Sequence, residues 1–130
     1  MTKEENKIAE ENAKNEIEEI VEKCIKCGMC KSICPVFRVM REESIGPRGK
    51  AIVLEEKIYD KIVYECSLCK ACEQKCPLDL KLCTAFRKAR QVLILKKQET
   101  KANKEMIKNI RNHGNPFGVK RGDRGKLYCC

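Results

Sequence analysis

Two short cysteine runs dominate the sequence. The first reads Cys24-Ile-Lys-Cys27-Gly-Met-Cys30-Lys-Ser-Ile-Cys34-Pro35, and the second reads Cys66-Ser-Leu-Cys69-Lys-Ala-Cys72-Glu-Gln-Lys-Cys76-Pro77. Both follow C-x2-C-x2-C-x3-C-P, and the second repeats the first after 42 residues. Three thiols spaced by two residues can wrap one tight loop around a metal centre. The fourth, followed by a proline that cannot continue a helix through it, starts a new chain direction.

This spacing is the bacterial pattern for paired iron–sulfur cubanes, in which the fourth cysteine of each run ligates the other cluster. The expected ligands are therefore Cys24, Cys27, Cys30 and Cys76 for a first [4Fe-4S] cluster. Cys66, Cys69, Cys72 and Cys34 are expected for a second. Metal binding and folding are expected to be one process. Zinc is the competing reading, but it favours paired knuckles and often histidine, and the only histidine, His113, is remote from both runs. Gly28 either lets backbone N–H groups approach inorganic sulfide or simply forms the turn.

With 130 residues the chain has room for one modest domain, which a bound metal would help to hold. Eleven cysteines would mean disulfides in a secreted chain and metal or redox chemistry in a reducing compartment. The acidic, polar start MTKEENKIAEEN is not a secretory signal, and no apolar run is long enough to span a bilayer. The expectation is a cytoplasmic protein with no transmembrane segment. Of the three cysteines left over, Cys83 is expected to be a small buried hydrophobe. Cys129 and Cys130 are expected to belong to a contact or to the start of another domain.

The net charge of +9 is uneven, −5 over residues 1–22, +4 over 23–86 and +10 over 87–126. A solvated helical face or a basic tail docking an acidic partner would account for it. A zinc module binding nucleic acid is a rival reading, but the six Phe and Tyr residues do not interleave with the basic ones, so no nucleic acid is expected.

Thr2-x-x-Glu5 reads as a capping box opening a helix over about 3–22, with Ile8, Ala13, Ile17, Ile20 and Val21 on one side. A short helix is expected over 36–41, a turn over 44–49, and one or two helices over 50–64 with Ile52, Val53, Ile58, Ile62 and Val63 facing inward. One long helical stretch is expected over about 81–112, its apolar side carrying Leu82, Phe86, Ala89, Leu93, Met106, Ile107 and Ile110. The implied organisation is an N-terminal amphipathic helix (1–22), a two-cluster domain (23–112) and a basic tail or linker (113–130).

Further residues accompany the runs: Gly46-Pro47-Arg48-Gly49, Tyr64-Glu65-Cys66-Ser67-Leu68-Cys69, Pro77-Leu78-Asp79-Leu80, Arg90 and Gly114-Asn115-Pro116-Phe117-Gly118. With them, roughly residues 20–120 resemble the heterodisulfide reductase-like iron–sulfur proteins. These include the iron–sulfur subunits of heterodisulfide reductase and of anaerobic glycerol-3-phosphate dehydrogenase and, more distantly, those of succinate and fumarate reductases. The resemblance implies an all-α fold, the α-helical ferredoxin. It also implies a relay of single electrons, inside a hetero-complex, from a donor such as a flavoprotein to a cysteine-rich catalytic partner. No residue of this chain is then expected to act as acid, base or nucleophile. A free ferredoxin-like carrier, or a fragment of a longer iron–sulfur oxidoreductase, is the alternative.

Overall fold

Helix is the regular structure throughout the computed structural model, which describes residues 2–119, and no strand occurs among them. The helices are α1 (Lys3–Val21), α2 (Pro35–Met40), α3 (Pro47–Glu55), α4 (Ala71–Gln74), α5 (Leu82–Leu95) and α6 (Lys101–His113). Single 3-10 segments at Met29–Lys31, Glu43–Ile45 and Lys61–Glu65 join them. The all-α architecture expected from the sequence is the one observed. Among the described residues no helix is long and apolar enough to cross a membrane.

The chain forms two compact units, whose described parts are residues 2–98 and 99–119. In the first, α1 starts at a capping box, where the Glu5 N–H donates to Thr2 Oγ1 at 3.3 Å and the Thr2 N–H to Glu5 Oε2 at 2.6 Å. Ala13, Ile17 and Val21, spaced by four, are buried, whereas Ile8 is 62% exposed. α1 lies along α5, whose Leu82, Ala85, Phe86, Ala89, Val92 and Leu93 are all buried. Alanines at 85 and 89 let the two backbones approach. Burying each large side chain of this seam contributes about 1.5–3 kcal/mol.

Three stretches differ from expectation in whole or in part. The stretch 44–49 is not a free turn: Pro47 opens α3 at its first position, where a missing N–H costs nothing. A Cβ at Gly49 would collide with the Glu43 carbonyl oxygen, so this glycine lets α3 press its first turn against the preceding 3-10 segment. The stretch 50–64 holds two helical pieces, one of the two expected alternatives, with α3 stopping at Glu55 and a 3-10 segment over Lys61–Glu65. Ile58, expected to face inward, is 54% exposed beyond the left-handed Lys57. Finally, 81–112 is two helices. α5 ends at Leu95, Lys97 adopts φ 58°, and Thr100 caps α6 by accepting from the Asn103 N–H at 3.3 Å.

In the second unit α6 closes on Gly114 at φ 72°. Asn115 Oδ1 accepts from the N–H groups of Phe117 and Val119, which folds the chain after it into a turn. Cys129 and Cys130 lie outside the described residues.

Candidate metal centre

The two cysteine loops are left-handed at the same positions. Lys26 and Leu68, each preceding the second cysteine, are left-handed at φ 58° and 55°. Gly28 and Lys70, each following it, are left-handed at φ 80° and 62°. Alternating left- and right-handed residues turn successive backbone N–H groups toward one point and create an anion-binding hollow. Gly28 and Lys70 share this conformation, so its turn geometry, rather than the absence of a side chain, is what the two loops have in common. Two thiols already accept N–H bonds: Cys66 Sγ from Leu68 and Cys34 Sγ from Phe37, both at 3.4 Å.

Folding brings both loops to the start of α5 and leaves a cavity at each. One, with about 360 Å³ of atom-free space, is lined by Cys24, Cys27, Cys30 and Cys76 against Leu78, Leu80, Leu82 and Arg48. The other, of about 340 Å³, is lined by Cys34, Cys66, Cys69 and Cys72, with Ile45, Lys50, Phe86 and Cys83. Each cavity thus gathers three cysteines of one run and the fourth of the other. Cys30 and Cys72 are buried and Cys27 and Cys69 exposed, with the remaining four between. Each thiol set therefore has a protected floor and an edge open to the surface.

The donor chemistry suits an iron–sulfur cubane: thiols alone, apolar walls and inward N–H groups. A single zinc ion would need donors converging to about 2.3 Å from one point. Among the described residues no group of three or more His, Cys, Asp and Glu side chains is drawn together in that way. The cysteines ring a volume instead. Burial pushes the Cys30 thiol up from 9.0 to about 11, and burial together with the neighbouring Cys83 pushes Cys72 up as well. Any metal entering must displace those protons.

Several supporting residues surround the loops. Arg90, on α5, donates to the carbonyls of Val63 (2.8 and 3.0 Å), Tyr64 and Cys66, and lies over the Tyr64 ring at 5.2 Å. It fixes the entry to the second loop. Glu73, buried beside Cys72, accepts the Cys83 N–H at 2.9 Å and so caps the start of α5 from another helix. Cys83 is buried as expected, but its Sγ also stands 3.9 Å from that of Cys72 on the cavity wall. Sequence reasoning missed Lys50 and Glu73, and no local pattern distinguishes them from the surrounding charged residues. Arg90 was visible only through the family resemblance.

Residues 20–80 match the family described as the 4Fe-4S dicluster domain. The chain is similar to the "uncharacterized electron transport protein YkgF" of Escherichia coli (strain K12), 32% identical over 94 residues, covering 66% of this chain and 20% of that protein. It is similar to lactate utilization protein B of Bacillus cytotoxicus, 35% identical over 81 residues, 56% of this chain and 17% of the relative. A third relative is the glycolate oxidase iron–sulfur subunit of E. coli K12, 29% identical over 70 residues, 48% of this chain and 17% of the relative. The aligned part spans a fifth or less of the length of each relative.

Proposed function

We propose, from the match of residues 20–80 to the 4Fe-4S dicluster domain family, that this chain holds two [4Fe-4S] clusters and relays single electrons between redox partners. The observation carrying this reading is the pair of near-equal cavities, each walled by four thiols drawn three from one run and one from the other. Cys24, Cys27, Cys30 and Cys76 hold the first cluster, and Cys66, Cys69, Cys72 and Cys34 hold the second. When bound, such clusters supply one-electron redox chemistry at a potential set by their surroundings.

The chain's own contribution is ligation and environment. Leu80, Leu82 and Phe86 are buried behind the thiols and keep water from the cavity floors. Cys27 and Cys69 place the opposite edges at the surface, where electrons enter and leave. No side chain acts as acid, base or nucleophile. The names of the relatives, an iron–sulfur subunit and an electron transport protein, support a place inside a multi-subunit oxidoreductase. The partners are then a flavoprotein donor and a cysteine-rich catalytic protein, as in the heterodisulfide reductase-like proteins.

Anaerobic purification with iron and sulfide analysis, followed by EPR after dithionite, tests the reading. Two cubanes predict about eight irons and eight sulfides per chain and coupled spin signals. Zinc without sulfide overturns the proposal. Co-purification with a flavoprotein or a cysteine-rich catalytic protein supports the relay, whereas a lone chain reducing many acceptors supports a free carrier.

A further inference from the structure

Lys50 is 2% exposed and heads the largest fully buried side chains among the described residues. It lies in the wall of the second cavity with Cys34 and Cys66, and its ammonium donates to the Ile45 carbonyl. That partner is neutral, and no ion pair among the described residues includes Lys50. A buried ammonium without a counter-ion is strongly unfavourable. Burial lowers its proton affinity, while the nearby Cys66 and Cys34 sulfurs, when anionic, raise it. Negative charge held in the cavity offsets the buried Lys50 ammonium.

The first cavity differs. Its cation, Arg48, is bound to Glu43 at 2.7 Å and its side chain is 31% exposed, so its charge is neutralised and screened. Other charges near Lys50 do not cancel its effect. Arg90 adds positive charge at the Cys66 carbonyl, Glu65 faces solvent, and the Glu73 carboxylate is turned to the N-terminus of α5 through the Cys83 N–H.

We propose that Lys50 is a fixed counter-charge for the second cluster, raising its reduction potential above that of the first, so that an electron entering the pair comes to rest beside Lys50. This rests on the two-cluster reading above. Four thiolates leave an oxidised [4Fe-4S] site negative, and reduction adds one further negative charge. A cation in a low-dielectric wall stabilises the reduced form more than the oxidised one.

The test uses anaerobically purified protein whose iron and sulfide have been measured, titrated potentiometrically with EPR detection. In Lys50→Met the higher-potential wave is expected to fall by at least a tenfold change in the oxidised-to-reduced ratio, about 59 mV for one electron. The lower wave stays in place, and Lys50→Arg keeps both near their original positions. In the unaltered protein holding one electron per chain, the hyperfine-shifted β-proton NMR signals of Cys34, Cys66, Cys69 and Cys72 are expected to show the reduced state. Fully loaded Lys50→Met with both waves unmoved overturns the proposal. So does an electron resting beside Cys24, Cys27 and Cys30, a result that decides the matter even where Lys50→Met fails to load. Iron and sulfide well short of two cubanes in the unaltered protein would instead mark failure of the two-cluster reading.

Discussion

Lys70 holds a left-handed backbone at the position where the first loop places Gly28. A residue with a Cβ adopts that conformation at a cost of about 1–2 kcal/mol, which glycine avoids. Lys70→Gly is therefore expected to leave cluster loading intact and to stabilise the loaded protein by up to about 1 kcal/mol, read as a higher anaerobic denaturation midpoint. A lower midpoint would show that the Lys70 side chain contributes contacts of its own. Glu73 points the other way. Its removal in Glu73→Ala leaves the buried Cys83 N–H without a partner, at about 1–3 kcal/mol. The same measurement should register that loss. Cys83 itself supplies a fifth thiol beside a complete set of four, so Cys83→Ala is expected to retain full iron and sulfide. Loss of iron in that variant would place Cys83 among the ligands.

At the scale of elements, the α1–α5 seam supports both cavities, because α5 carries Leu82 to one and Phe86 and Cys83 to the other. Ile17, 1% exposed, lies in that seam. Ile17→Ala is expected to cost about 2–5 kcal/mol and to speed iron loss from both sites together, followed by absorbance under chelator. Loss from one site alone would mean that the helices do not support them jointly. α1 was legible from its capping box, and α5 from its apolar spacing. The break after Leu95 was not, since Lys96, Lys97, Gln98 and Glu99 contain no glycine or proline; Thr100, a ready cap, was the one signal. Gly46-Pro47-Arg48-Gly49 reads as a turn because proline and glycine usually mark one. Here Pro47 starts a helix and Gly49 admits a neighbouring carbonyl. The two groups of four thiols were readable because three of each group lie within one short run of sequence. Lys50 and Glu73 were not, since a charged residue acquires its role only when distant segments bury it beside a thiol.

For the molecule as a whole, the proposed thiol ligation would couple folding to metal and metal to pH. In the metal-free fold burial raises Cys30 from 9.0 to about 11 and raises Cys72 too. A raised thiol favours the empty fold below its unfolded value, and that contribution disappears as pH rises through about 11. The loaded fold depends on pH in the opposite sense. With the proposed thiolate ligands it binds fewer protons than the empty fold below about pH 11, and it weakens as pH falls. Because each cavity takes thiols from both runs, protonation that releases one centre also loosens the tie between residues 24–34 and 66–76. Iron removal by a fixed concentration of chelator under anaerobic conditions is therefore expected to accelerate steadily from about pH 9 to about pH 6, with helicity falling alongside iron. A rate that stays level across that range would mean that the buried thiols are not the groups holding the metal.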